Sequence, residues 1–293
     1  MKKYLIMKKV QNNLPIDEYH RGNEHLSSTA LRKARKSLKL FKLYQEGYFE
    51  DEKKSHFDFG NAFELALLEP DSFDSQIVIY NEDDRPEKDK GITSKINQDW
   101  KNNLYETSKY VIKRAGRESF ETIDQMLRSC YADAVIQKLL KNIEYQYSMF
   151  WTDKETGLKL KTRPDICRSK NNVIVDVKTA LDGSPEAFSK AIGNNDLAFQ
   201  AVMQIDGVVQ SGFMEKVDNY FWLVVEKEPP FSATLYEFQP EDIEWAMDEY
   251  RYVLKVVKEA LEREHYPSYS YRADNKYGIL QANIPLWYRN YGL

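Results

Sequence analysis

The sequence predicts an α/β domain: a central mixed sheet flanked by helices, behind an N-terminal helical region. Three observations carry this. The first 143 residues are dominated by apolar positions spaced three and four apart. Near residue 144 the pattern changes to short, β-rich runs bounded by turn residues. From there to residue 264, helical and strand patterns alternate. The chain has 293 residues, 42% hydrophobic and 13% aromatic, ample for one large core. No second compositional break divides it, so 1–293 reads as a single domain. Within it, 1–143 is mostly helical, 144–264 is the mixed α/β core and 265–293 is a C-terminal tail.

Taken in order, Ser27 and Ser28 can cap a helix through LRKARKSLKLFKLY, whose Leu31, Ala34, Leu38 and Phe41 fall on one face. A second helix is expected from about Phe57 to Leu68, ended by Glu69-Pro70. Residues 81–95, NEDDRPEKDKGITSK, are polar and broken by Pro86 and Gly91, and read as a mobile loop. Two or more helical patterns follow over 95–141. YQYSMFW (145–151), LKLKTRPDIC (158–167) and NVIVDVKT (172–179) read as three strands, with Thr156-Gly157 and Ser169 to Asn172 as turns. Ser184-Pro185 opens a helix, since proline suits a first turn. A helix from Asp196 to about Gln210, strands over 218–227 and 232–239 joined by Pro229-Pro230, and a helix over 240–264 complete the pattern. The tail's Tyr266, Tyr269, Tyr271, Tyr277, Trp287, Tyr288 and Tyr291 read as packing or subunit contact rather than base stacking.

Composition excludes several classes. No run approaches the roughly 18 apolar residues of a membrane helix, and MKKYLIMKK is too short in its apolar part for a signal peptide. Two cysteines, Cys130 and Cys167, are too few for a disulfide framework or a four-thiolate cluster, and fit reduced core residues of a cytoplasmic protein. His20, His25, His56 and His265 show no ligand spacing. The net charge of −4 decides nothing about nucleic acid, because a groove needs only a local basic field.

The informative segment is LKLKTRPDICRSKNNVIVDVKT, residues 158–179. Asp176 and Lys178 are two apart on a strand, so their side chains share a face. A hairpin would bring Asp165 beside Asp176. Two carboxylates held together repel unless a cation lies between them, and oxygen-only ligands suit Mg²⁺ or Mn²⁺ rather than zinc. A protonated lysine beside them can hold a water in line with a phosphorus atom, which is the equipment for metal-assisted phosphodiester hydrolysis. The bland alternative is an exposed ion pair on a solvated strand. VIVDVK argues against it, since apolar residues on both sides imply a strand covered on both faces, where a charge needs a partner or a task.

Pro164-Asp165, ten residues, then Asp176-Val177-Lys178 is the PD-(D/E)xK signature of the restriction-endonuclease-like nucleases. With FDFGNAFELALLEPDSFD (57–74), the Ser-opened basic helix near 27–42, VIVDVKTALDGSPEAFSKAI, DLAFQAVMQIDGV and FWLVVEKEPPFSATLYEF, the chain resembles the RecE-type exonuclease (exonuclease VIII) family of phages and prophages from about 24 to 264. The resemblance implies that Asp165 and Asp176 ligate metal, that the Val177 carbonyl completes the shell, and that Lys178 orients the attacking water. Gln200 would place the substrate or the lysine. Glu64 stands where family members usually carry a metal-ligating histidine, and a carboxylate serves Mg²⁺ at least as well. Gln204 stands where the family has an aromatic residue, on the same helix face as Gln200.

The resemblance further implies a Mg²⁺-dependent exonuclease (Mn²⁺ substituting) that degrades one strand of double-stranded DNA 5′ to 3′ from its ends. It would act in the bacterial host cytoplasm as a homo-oligomeric ring, passing single strands to an annealing protein. For DNA contact the expected residues are Arg163 beside the metal aspartate, and Arg32, Arg35 and Lys36 of a stretch holding six bases in eleven residues. The rivals are another PD-(D/E)xK nuclease, such as an endonuclease or RecB-like enzyme, and a DNA-binding recombination protein whose nuclease site has decayed.

Overall fold

Pro164 and Gln146 decide the architecture, because each interrupts what the sequence reads as one strand. The computed structural model describes residues 9–12, 14–20, 24–49, 55–106, 109–285 and 289. The chain begins with β1 (Val10–Gln11), α1 (Ile16–His20), α2 (Ser28–Lys36) and α3 (Leu38–Gln45). The expected single basic helix is therefore two. Ser37 is extended (φ −166°, ψ 130°) and caps α3, its Oγ accepting the Leu40 N–H at 3.4 Å. Serine competes with the helix for backbone partners, which is why the break falls there. Ser27 caps α2 as anticipated.

Next come α4 (Ser55–Leu68), α5 (Phe73–Gln76), β2 (Ile77–Tyr80), α6 (Lys95–Leu104), β3 (Tyr110–Lys113), α7 (Phe120–Ala132) and α8 (Ala134–Leu139). Proline 70 stops α4 where expected. The parallel pair β2–β3 was not legible, since four-residue apolar runs do not distinguish strand from helix. The polar loop after β2 is organised around one buried side chain rather than left loose. Asn97 accepts the Glu87 N–H at 3.0 Å and donates to the carbonyls of Glu87 and Gly91, both at 3.0 Å.

The core follows: β4 (Glu144–Tyr145), β5 (Ser148–Thr152), β6 (Lys159–Thr162), β7 (Ile166–Arg168), β8 (Val173–Ala180), α9 (Pro185–Asn194), α10 (Leu197–Gln210), β9 (Asn219–Glu226), β10 (Ala233–Glu237) and α11 (Pro240–Arg263). The strand expected over 145–151 divides at Gln146, which takes φ 59°. The strand expected over 158–167 divides at Arg163–Asp165, where Pro164 has no N–H to give a ladder. The halves join different sheets. β5 and β6 pair with β1 in the order β1-β5-β6, while β4 and β7 belong to the five-stranded sheet β10-β9-β8-β7-β4. Asp165 thus sits on the corner where the chain passes from one sheet to the other.

Strand β8 lies inside the larger sheet, antiparallel to β7 and parallel to β9. Val175 and Val177 pack with Phe59, Phe63 and Leu67 of α4. Ile174 packs on the opposite face, in the cluster that holds Phe199, Val202 and Trp222. Burying each such side chain contributes roughly 1.5–3 kcal/mol. Gly207 lets α10 approach β5 and β6 closely, since a Cβ there would meet Thr162 Cγ2 at 2.5 Å and Trp151 Cη2 at 2.8 Å. That approach sets α10 against the face of β8 that carries Asp176. Tyr271 of the tail donates to the Ala34 or Arg35 carbonyl, at 2.9 and 2.8 Å, closing the end of α2. Tyr269 and Tyr277 are exposed, and Trp287, Tyr288 and Tyr291 lie outside the described residues. No described helix is long and apolar enough to cross a membrane.

Candidate active site

The β7–β8 register pairs Ile166 with Val175. One step further out, Asp165 stands level with Asp176, as the hairpin argument required. The ladder has ended there, so the Val177 peptide edge on that side lacks a strand partner. Asp165 Oδ2 takes its N–H at 2.7 Å, and the Val177 carbonyl lies on the same edge, since both groups of a strand residue share a side.

Asp176 is fully buried. Its Oδ1 accepts from Gln200 Nε2 at 3.2 Å and from Gln204 Nε2 at 3.4 Å, both on α10. Lys178 Nζ lies 2.6 Å from Oδ2. That ion pair is the contact Oδ2 makes, since no amide or hydroxyl donates to it. Glu64, from α4, lines the same cavity of about 640 Å³ as Asp165, Arg163, Gln200 and Gln204.

The electrostatics are those of a crowded acid cluster. Burial pushes the Glu64 carboxyl up to about 7; Asp176 and Glu69 add to the shift, against Lys178 and Arg163. Burial, then Glu64 and Asp176, carry Asp165 well above the usual carboxylate range, opposed by Lys178 and the Val177 N–H. Burial alone would lower the Lys178 ammonium, but Asp176, Asp165 and Glu64 raise it on balance, so it stays charged. One lysine faces three acids, and two of the acids are held toward their neutral forms.

Among the described residues, no three Asp, Glu, His or Cys side chains close tightly enough to enclose an ion. The donors nevertheless fit a divalent cation. All are oxygens, one buried carboxylate oxygen meets only the Lys178 ammonium, and a cation would offset the burial and the mutual repulsion that hold Glu64 and Asp165 toward their neutral forms. Asp165, Asp176, Glu64 and the Val177 carbonyl are the groups that would hold it.

This gives a stability prediction with a fixed sign. In metal-free protein, Glu64 ionises near pH 7 when folded and near its ordinary 4.5 when unfolded. The stabilising effect of its neutral form is therefore full below about pH 4.5 and lost as pH rises through about 7. Glu64→Gln, neutral throughout, should gain on the order of 1–3 kcal/mol over wild type at pH 8 in EDTA and almost nothing at pH 4. Equal melting of the two proteins at pH 8 would refute the crowded-acid account.

The structure brings Glu64, Asp165 and Gln200 into one cleft, with Asp176 and Lys178 near enough to shift the charges of both acids. Arg163 is beside them, but not as a free phosphate ligand. Its Nε donates to Ser148 Oγ at 2.8 Å, Nη1 to Gln146 Oε1 at 3.0 Å and Nη2 to the Leu14 carbonyl at 2.7 Å, with the guanidinium 4.5 Å over the Tyr19 ring. All three nitrogens are engaged, so Arg163 braces the strand corner that presents Asp165. Gln146 continues the brace to Glu69 at 2.9 Å, just past α4. Arg35 is likewise an internal tie, ion-paired to Asp196 and Glu249. Arg32 donates to the Asn195 carbonyl at 2.9 Å while feeling the charge of Asp176. Lys36 is exposed.

Sequence reading left Gln204 without a role and passed over Tyr220. The structure joins them: Tyr220 Oη donates to Gln204 Oε1 at 2.7 Å. The spacing of Gln204 from Gln200 was the visible signal. Tyr220 gave none, because its nearness depends on β9 pairing beside β8, Tyr220 opposite Ile174.

The comparisons agree with this geometry. The chain belongs to the family of PDDEXK-like domains of unknown function (DUF3799), whose model matches residues 27–276. Among solved structures it is similar to that of a candidate exonuclease from Eubacterium rectale, at 13% identity and a TM-score of 0.59, covering 97% of this chain and 100% of that one. At that identity the likeness is one of fold, the restriction-endonuclease-like fold of the PD-(D/E)xK superfamily. It does not single out the RecE-type branch. No curated protein matches the chain.

Proposed function

We propose that the chain is a Mg²⁺-dependent exonuclease of the RecE type acting on double-stranded DNA ends, with Mn²⁺ able to substitute. The observation that carries the reading is the level placement of Asp165 and Asp176 on paired strands, with Lys178 in contact with Asp176 and Glu64 in the same cleft. A bound divalent ion supplies Lewis acidity toward a phosphoryl oxygen. Asp165, Asp176, Glu64 and the Val177 carbonyl would hold it. Lys178, whose side chain is 28% exposed and contacts Asp176, would orient the water whose oxygen attacks phosphorus as the P–O bond to the neighbouring sugar breaks. Gln200 keeps Asp176 turned toward the site. Arg32 and Lys36 lie on the basic helix and offer charge to the DNA backbone.

The finer features come from the RecE-type resemblance. They are removal of one strand 5′ to 3′, a homo-oligomeric ring around the duplex, and transfer of the exposed strand to a single-strand annealing protein in recombination, within the bacterial cytoplasm.

End-labelled linear duplex and covalently closed circle, incubated with Mg²⁺, separate the readings. We expect label to leave the 5′ end first, the linear form to become single-stranded, and the circle to persist. A circle cut as fast as the linear form would make the protein an endonuclease, and first release from the 3′ end would reverse the polarity.

A further inference from the structure

The two oxygens of the Asp176 carboxylate are held differently, Oδ1 by two amides and Oδ2 by the Lys178 ammonium. We infer that Gln204 is a positioning residue which, with Gln200, occupies Oδ1 of Asp176, so that the carboxylate offers a cation Oδ2 alone and the site disfavours ions that chelate both oxygens. The inference rests on the reading of this site as a divalent-metal centre and deepens it by naming what sets ion choice.

Gln200 and Gln204 are one helical turn apart on the same face of α10, and their Nε2 atoms lie 3.2 and 3.4 Å from the same oxygen. A carboxylate oxygen receiving two N–H donors has its lone-pair directions filled. Oδ2 is buried and takes no amide or hydroxyl donor; it meets the Lys178 ammonium, 2.6 Å away, which a cation would displace. A glutamine amide can in general turn over, exchanging donor for acceptor. Here it is fixed. Tyr220 Oη donates to Gln204 Oε1 at 2.7 Å, and a turned amide would set its oxygen against the Asp176 carboxylate, two acceptors facing each other. Tyr220 and Gln204 are 0% and 2% exposed, so water does not relieve such a clash. The lock spans α10, β8 and β9.

Cation chemistry turns this into selectivity. Ca²⁺ takes roughly 6–8 oxygen ligands and readily accepts carboxylates through both oxygens, whereas Mg²⁺ takes about six in an octahedron. A carboxylate with Oδ1 occupied serves the second arrangement and hinders the first.

The test is calorimetric titration of the full chain with MgCl₂, MnCl₂ and CaCl₂, for wild type, Gln204→Met, Tyr220→Phe and the double variant, with melts in EDTA to confirm folding. Methionine keeps the volume without donor or acceptor, and the double variant leaves no buried phenol unpaired. Wild type should bind Mg²⁺ and Mn²⁺ at least about tenfold more tightly than Ca²⁺. Gln204→Met and the double variant should lose about tenfold or more of Mg²⁺ and Mn²⁺ affinity and little for Ca²⁺, so that the preference shrinks or reverses. Tyr220→Phe, which frees the amide without removing it, should move the same way by less. If neither Met variant folds, Tyr220→Phe decides alone. Equal losses for Mg²⁺ and Ca²⁺, or unchanged affinities in a folded variant, overturn the inference while leaving the metal site standing. Failure of wild type to bind any of the three ions overturns both.

Discussion

Asp176→Ala and Asp165→Ala are each expected to lower metal-dependent cleavage by about 10³-fold or more, the scale of losing several kcal/mol of charge stabilisation at phosphorus. The two substitutions act differently on the fold. Removing Asp165 leaves the Val177 N–H without its 2.7 Å acceptor, which costs about 1–3 kcal/mol, but also relieves repulsion with Glu64 and Asp176. Removing Asp176 takes the acceptor from Gln200 and Gln204 and the counter-charge from Lys178. Asp176→Asn is the gentler control, since its carbonyl can still accept from both amides while the charge is gone. Turnover at saturating Mn²⁺, with a thermal melt to confirm folding, separates lost chemistry from lost structure. A folded variant that keeps more than about a tenth of wild-type turnover would end the assignment of these aspartates as metal ligands.

The part of this site that the sequence made legible is the part determined by short-range spacing. Two residues on one strand share a face whatever the fold, so Asp176 and Lys178 could be paired at once. The turn residues Ser169 to Asn172 fixed a hairpin that set Asp165 level with Asp176; Asn172 does take the left-handed conformation, φ 55°. Glu64 was singled out through the family pattern; Phe63 and Leu67 of the same helix pack with Val175 and Val177 of β8.

What stayed hidden depends on pairings between distant segments. Residues 158–167 carry β propensity on both sides of Pro164, and nothing local says that the two halves belong to different sheets. Arg163 looked like a phosphate ligand because its partners, Leu14, Gln146 and Ser148, come from elements whose position only the assembled sheets define. Arg35 looked free for the same reason, its acceptors lying far along the chain at Asp196 and Glu249. A basic run in sequence is thus an upper bound on the basic surface of the fold.

Lys178→Ala should lower turnover at saturating metal by about 10²-fold, the scale of a lost positioning or proton-handling group. Its second effect is more diagnostic. Without metal, the ammonium 2.6 Å from Asp176 Oδ2 is the nearest positive charge to a side chain that is 1% exposed. Deleting it leaves a buried carboxylate uncompensated. A fully buried pair broken in this way costs roughly 3–5 kcal/mol; because the Lys178 side chain is 28% exposed, about 1–3 kcal/mol is the expected loss in EDTA. A divalent ion can take over that neutralising role, so added Mn²⁺ should restore the melting temperature of Lys178→Ala by more than it raises that of wild type. Its Mn²⁺ affinity should equal or exceed wild type, since the lysine no longer competes for Oδ2. The three readouts must part company: turnover down, affinity held or raised, stability recovered by metal. Turnover unchanged at saturating Mn²⁺ would remove Lys178 from the reaction. Loss of Mn²⁺ binding in a folded variant would mean that the lysine organises the ligands rather than the water.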